Sequence, residues 1–375
     1  KLTEAQAYGL EHLTGQPTAF RSYQPLADLA IELDHPAAPQ DYRRELDLRT
    51  GLARVRYRAG GVTYVREMLI SAPDDILAIR LTADMPRALR GTVRLTREKD
   101  VRVAPAGTDR LHMDGQIIDL PAPEGYDDNP GGSGPGGAHM RFAGRLVVRA
   151  ATGCIRAEGD HLVFEEAGEV ILLFTAVTDF SLEAMDFDRS IDPGAIADRI
   201  LQRVEGKPWP AILRDHVSEH QPLFDRVVLD LGGADRAAVP TDERLAALKK
   251  GGDDPQLAAL FFQFGRYLLM SASRRPGRLP ANLQGLWSDQ MWAAWEADYH
   301  LNINLQMNYW PAGVCNLPET VGPLVDWFER VTRKGRASAK KLYGSNGWVA
   351  FTMVDLFGRT TPAGSTNRPA GTARW

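Results

Sequence analysis

The hydrophobic positions change period part of the way along the chain. In the first half they run in short blocks or alternate with polar residues. Pro25 to Leu33 is a short apolar run, and Arg44 to Tyr57 alternates on both sides of Thr50-Gly51, the pattern of a hairpin. Val62 to Ser71 and Ile76 to Leu81 follow, split by Pro73-Asp74-Asp75, and several more strands are predicted between Arg141 and Phe180, ending in the apolar run Val170 to Val177. Many short strands with turn signals between them predict an antiparallel sandwich. Gly125 to Gly137, rich in Gly and Pro, predicts a long surface loop. It lacks the Lys-Ser/Thr ending of a phosphate loop and opens no helix, so phosphate is not expected there.

From about Asp192 the period becomes that of a helix. Amphipathic helices are predicted over 195–204, 211–227, 241–250 and 256–271, and the pattern continues over 318–330 and 334–343. Helix after helix with irregular connections is what an α/α toroid would show. All eight Trp lie after residue 208, a change sharp enough to mark a domain boundary.

Composition narrows the function classes. At 44% hydrophobic and 25% charged, the 375 residues can build a large core. No apolar stretch approaches the roughly 18–20 residues of a membrane span. Cys154 and Cys315 are the two cysteines, too few for a disulfide scaffold, and both read as packing residues. A net charge of −4 leaves no basic footprint for nucleic acid. His216-Val-Ser-Glu219-His220 matches the H-x-x-E-H zinc pattern and would put both imidazoles on one helix face. No third ligand stands out downstream, so the stretch reads as the polar face of a helix. Neither a metal nor a cofactor is expected.

Ala281 to Asn316 is the unusual stretch. It holds four Trp, two Tyr, five Asn and one His, with no Lys or Arg. Side-chain amides are costly to bury without partners. A segment this rich in amides and aromatics either pairs them internally, as an aromatic core layer with amides capping helix ends, or offers them to a polar ligand. Sugars fit the second demand, because they carry hydroxyls that both donate and accept and a ring face that stacks on Trp. The lack of basic residues argues against a phosphate-bearing ligand.

Asp298-Tyr-His300-Leu-Asn302-Ile-Asn304-Leu-Gln306-Met-Asn308-Tyr-Trp310-Pro311 resembles the signature of glycoside hydrolase family 95, the inverting α-L-fucosidases. Leu279-Pro-Ala-Asn282-Leu-Gln284-Gly285-Leu-Trp287 resembles that family's barrel entry, and Tyr42 to Gly51 with Val65-Arg66-Glu67 resembles its N-terminal β-domain. The resemblance implies an antiparallel β-supersandwich over 1–185, a helical linker over 186–240 and the start of an (α/α)6 barrel over 241–375. It implies hydrolysis of terminal α-1,2-linked L-fucose from an oligosaccharide, with inversion, at an exported enzyme. Inversion needs a water activated on one face of the sugar and an acid on the other.

In the family an asparagine polarised by a distant aspartate holds that water. The matching positions are Asn302 and Asn304, whose spacing suits an extended or irregular segment pointing both amides into one pocket. His300 matches a substrate-contacting histidine. Trp287, Trp310, Asn282 and Gln306 are expected to line the sugar pocket, and Asp355, after Gly347-Trp348-Val349, is a further candidate contact.

The family's general-acid glutamate and its activating aspartate lie far beyond the asparagine pair. Glu319, Asp326 and Glu329 read as residues of an ordinary amphipathic helix, and Asn367 to Trp375 does not read as the close of a barrel. The expectation is an incomplete chain without its acid. An α-1,2-L-galactosidase or another (α/α)6 glycosidase is the neighbouring alternative, and a non-catalytic glycan-binding remnant is the alternative of another class. The sequence gives no reading of oligomeric state.

Overall fold

The computed structural model describes residues 1–12, 22–119, 137–291 and 293–362. The predicted loop at 125–136 and the ending from Asn367 lie outside the described residues. A helix that the hydrophobic pattern does not foretell, α1 (Leu2–His12), comes first. Twelve strands follow: β1 (Asp28–Leu33), β2 (Gln40–Asp47), β3 (Leu52–Ala59), β4 (Val62–Ser71), β5 (Ile76–Ala83), β6 (Leu89–Thr96), β7 (Val101–Pro105), β8 (Arg110–Asp119), β9 (Gly137–Ala150), β10 (Cys154–Glu158), β11 (His161–Ala167) and β12 (Glu169–Thr178). A small hairpin, β13 (Phe180–Ser181) and β14 (Asp186–Phe187), closes this half.

The strands form two antiparallel sheets. One is four-stranded, in the order β1-β6-β11-β10; the other is eight-stranded, in the order β2-β3-β4-β5-β12-β9-β8-β7. Their facing sides share one core, in which Tyr57, Leu81, Val93, Leu111, Leu146, Phe164 and Leu172 are buried. Strict alternation on β6 supplies Leu89, Val93 and Leu95 to that core, with Gly91 between them where the Glu32 carbonyl would lie 2.1 Å from a Cβ. The sandwich predicted from short strands and turns is present.

The continuous apolar run of β12 has its own cause. Residues 170–173 are all buried, because the strand is covered on both faces. Val170 and Leu172 face the other sheet. Ile171 and Leu173 pack, with Leu69, Ala78 and Val147, against Ile200, Leu201, Val204, Trp209 and Ile212 of the two helices that follow. Those are α2 (Pro193–Val204) and α3 (Trp209–Phe224). α2 starts where Asp192 accepts the Ala195 N–H at 3.1 Å and Pro193 takes the first helical position.

The H-x-x-E-H pattern of α3 is an anchor. Asp47 bends the β2–β3 connection by accepting the Arg49 N–H (2.9 Å) with its side chain and the Gly51 N–H (2.8 Å) with its carbonyl, which leaves Gly51 at φ +65°. Against this turn, His216 Nε2–H donates to the Thr50 carbonyl at 2.8 Å and His220 Nε2–H to the Leu48 carbonyl at 2.9 Å. Glu219 pairs with Arg274. Burial pushes both imidazoles below their usual range. With Nε2 committed to backbone on each ring, the pair joins sheet to helix instead of holding a metal.

The remaining helices are α4 (Thr241–Lys249), α5 (Pro255–Ala272), α6 (Asn304–Val314) and α7 (Val321–Tyr343). The two helical stretches predicted at 318–330 and 334–343 are one helix from Val321, preceded by a single 3₁₀ turn at Pro318–Thr320. Asp326 and Glu329 of α7 pair with Arg275 and Arg330, as residues of an ordinary helix would, while Glu319 lies in the 3₁₀ turn before the helix and pairs with Arg226. Two further short strands, β15 (Tyr299–His300) and β16 (Met353–Val354), pair with each other. No described helix is long and apolar enough to cross a membrane.

Candidate active site

The amide- and aromatic-rich segment is held by a third core. Trp327 of α7 is fully buried, with Tyr299 4.4 Å and Phe328 5.1 Å from it between ring centroids. Leu269, Leu305, Tyr309, Ala312 and Val354 fill the rest. The Tyr309 hydroxyl accepts the Ala281 N–H and donates to Ser273 Oγ, both at 2.8 Å, so the end of α5, the entry segment and α6 meet at one oxygen. Cys315 is buried at the foot of α6, as a packing residue would be, whereas Cys154 is exposed on β10 and does not pack as the sequence suggested, because its position on the strand faces solvent.

The approach to β15 is bent. Trp295, Glu296 and Ala297 have φ of +49°, +58° and +50°. A left-handed non-glycine residue costs roughly 1–2 kcal/mol, so three in succession persist only where neighbours hold them. Here the Tyr23 N–H donates to the Glu296 carbonyl (2.9 Å), the Ala293 N–H donates to Ser22 Oγ (2.9 Å), and the Leu283 N–H donates to the Asp298 carbonyl (2.8 Å). Beyond the bend, Tyr299 and His300 lie opposite Val354 and Met353, and the Leu301 N–H donates to the Thr352 carbonyl (2.6 Å).

Extended backbone puts Asp298 and His300 on one side and Tyr299 on the other. Asp298 is fully buried, and its Oδ1 accepts the Nδ1–H of His300. Its Oδ2 has no partner among the described residues. Burial pushes the Asp298 carboxyl up to about 6; the bond from His300 opposes this and the nearby charge of Asp355 adds to it. For His300, burial alone would lower the imidazole, and the Asp298 carboxylate outweighs it, so the ring is raised. On the other side the Tyr299 and Tyr23 hydroxyls are 3.0 Å apart, and burial raises both phenols.

The expected site residues fall into two groups. Asn282 is buried; its Oδ1 accepts the Gln284 N–H (3.0 Å) and its carbonyl accepts from Asn308 Nδ2 (3.0 Å). Gln306 Nε2 donates to the Leu301 carbonyl (2.6 Å). These amides pair internally, as an aromatic core layer with capping amides would. Asn302, exposed in the turn after β15, and Asn304, half-buried as the first residue of α6, bond through their side chains to no described residue. The pair therefore spans a turn and a helix start, not an extended strand. Trp287 and Trp310 are exposed, at 49% and 62%. Asp355 is buried, and its Oδ1 accepts the Arg359 N–H (3.1 Å). It also lines, with Tyr23, Arg97, His139 and Phe357, a cavity of about 190 Å³ between the sandwich and the residues after β16. Neither His300 nor either asparagine reaches that cavity. Among the described residues, no three His, Cys, Asp or Glu side chains gather as a metal site.

Three contributors escape sequence reasoning. Asp298 has a local signal, its i, i+2 spacing from His300. Tyr23 and Glu296 have none, since their roles depend on contacts across 276 residues and on a backbone bend.

Residues 208–374 match the glycosyl hydrolase family 95 catalytic domain, and residues 1–183 match the glycosyl hydrolase family 65 N-terminal domain. The chain is 34% identical to "Alpha-L-fucosidase 2" of Arabidopsis thaliana, over 93% of this chain and 43% of that protein. It is 32% identical to "Probable alpha-fucosidase A" of Aspergillus niger, over 93% and 43%, and 29% identical to the Aspergillus oryzae protein of the same name, over 93% and 48%. The chain is thus similar to glycoside hydrolase family 95 over residues 208–374, and it spans under half the length of these relatives.

Proposed function

We propose that the protein is an inverting α-L-fucosidase that hydrolyses terminal α-1,2-linked L-fucose from oligosaccharides, with Asn302 and Asn304 holding the attacking water. The observation that carries the proposal is the contrast among the amides. Asn282, Gln306 and Asn308 are committed to backbone, while Asn302 and Asn304, within four residues of His300, are left uncommitted. A side-chain carbonyl that accepts from a water orients its lone pair but removes no proton by itself. An ionised partner must complete the base, and a carboxylic acid must protonate the leaving oxygen on the opposite face. His300 binds a sugar hydroxyl, and the exposed rings of Trp287 and Trp310 offer stacking faces.

The same reading takes 1–185 as the β-supersandwich, 186–240 as the linker and 241–375 as the first part of an (α/α)6 barrel. The succession of α5, α6 and α7 around Trp327 supports it, as do the exposed Phe261, Val314 and Trp310 on their outer faces.

Release of free L-fucose from 2′-fucosyllactose tests the proposal, run on this chain and on a version extended in frame from the same locus. Product anomer is read by proton NMR. Asn302→Ala and Asn304→Ala in whichever form is active are each expected to cost about 10²–10⁴-fold in kcat, the range of a positioned proton-transfer group. Wild-type turnover from either alanine variant would refute the water assignment, and a retained anomer would refute inversion.

A further inference from the structure

We propose that Asp298 is the positioning residue of His300: it keeps a proton on Nδ1, so that His300 meets its ligand through Nε2 alone. This rests on the reading of His300 as a sugar contact for its purpose, though not for its geometry.

Four observations converge. The Asp298 carboxylate is fully buried and accepts the Nδ1–H of His300. Nε2 bonds to no described residue, and the His300 side chain keeps 14% of its surface exposed. The backbone on both sides is pinned, by the Leu283 N–H on the Asp298 carbonyl and by the β15–β16 pairing, so the two side chains start from backbone positions held in fixed relation. Finally, Asp298 Oδ2 has no partner among the described residues. An unpaired oxygen on a buried carboxylate costs stability, and no other described side chain is bonded to this group in return. A group kept at that cost acts on its single partner.

The chemical consequence follows from the two ring nitrogens. In neutral imidazole one nitrogen donates and the other accepts, and the hydrogen bond made by one sets the state of the other. With Nδ1–H held by Asp298, neutral His300 presents a lone pair at Nε2 and accepts from a sugar hydroxyl. On protonation the proton is gained at Nε2, which then donates. Around the pair lie Glu296 on the bend and Asp355 after β16, with the Tyr23 and Tyr299 hydroxyls on the opposite side of the strand; the carboxylates favour the added charge.

The test is nitrogen NMR of the ring on the full chain, labelled at histidine, with His300→Gln used to assign the signals. In the unsubstituted chain above its titration, His300 is expected to show a pyrrole-like Nδ1 and a pyridine-like Nε2. The reverse pattern would overturn the proposal without any variant at Asp298. Asp298→Asn, whose amide can donate to Nδ1, is expected to lose that preference and lower the titration midpoint, with the His216 signals unmoved. An unchanged His300 pattern and midpoint in Asp298→Asn would equally overturn it. L-Fucose titration is read separately. A fucose-dependent shift at Nε2 that Asp298→Asn weakens supports both readings. The Nδ1 pattern without any fucose response upholds the positioning role and refutes the sugar contact.

Discussion

Gly51→Ala is the sharpest probe of how the sandwich is fixed to the helices. Gly51 sits at φ +65°, and a Cβ there would lie 3.0 Å from His216 Nε2, 3.3 Å from His216 Cε1 and 3.4 Å from His220 Cε1. The substitution has two separable costs. Holding alanine in the left-handed region costs about 1–2 kcal/mol. Pushing the ring off the Thr50 carbonyl strains or breaks a 2.8 Å bond and strands a buried donor, worth about 1–3 kcal/mol. The expected destabilisation is therefore about 2–5 kcal/mol. His216→Ala on its own removes the bond and a buried ring, at about 2–3 kcal/mol. In the double variant the ring is no longer there to be pushed, so only the backbone cost of Gly51→Ala remains, and the total falls short of the sum by about 1–3 kcal/mol. Urea unfolding followed by circular dichroism gives the three values. Hydrogen exchange at the Gly51 amide, bonded to the Asp47 carbonyl, reports whether the turn opens. Additivity within about 0.5 kcal/mol would refute the argument that turn and helix are locked through this ring.

Two further outcomes follow from the cores. Burial lowers the His216 and His220 pKa values below that of an unfolded imidazole, about 6.5. The unfolded chain therefore takes up protons first as pH falls, so the stability they contribute is complete above about pH 6.5 and is lost on acidification through their lowered folded values; a urea midpoint that rose between pH 6.5 and 5.5 in the unsubstituted chain but not in His216→Ala/His220→Ala would contradict this. Trp327→Ala is expected to cost about 3–5 kcal/mol, whereas Trp327→Phe should cost clearly less, because it deletes the buried Nε1 donor that has no partner; equal losses for the two would show that the unpaired indole carries no penalty.

The sequence by itself determined the strand-rich half, the helical half and the segment that carries the candidate chemistry. Period-2 and period-3.6 patterns are local, so Val62–Ser71 was legible as a strand to the residue and 193–272 as helices nearly so. Asn302, Asn304 and His300 could be named as candidates because the amide-rich motif is contiguous. Tertiary structure alone decided what depends on distant partners. It turned His216 and His220 from a zinc-like pattern into an anchor on the β2–β3 turn, 166 and 172 residues upstream. It sorted amides that look equivalent in the sequence into those bonded to backbone and the two left uncommitted. It also buried Asp298 beside His300, with Tyr23 brought to Tyr299 across 276 residues. A hydrophobic period reports which face a segment buries; it carries no information about which carbonyl, carboxylate or hydroxyl will lie across that face, because those are fixed only when the layers close.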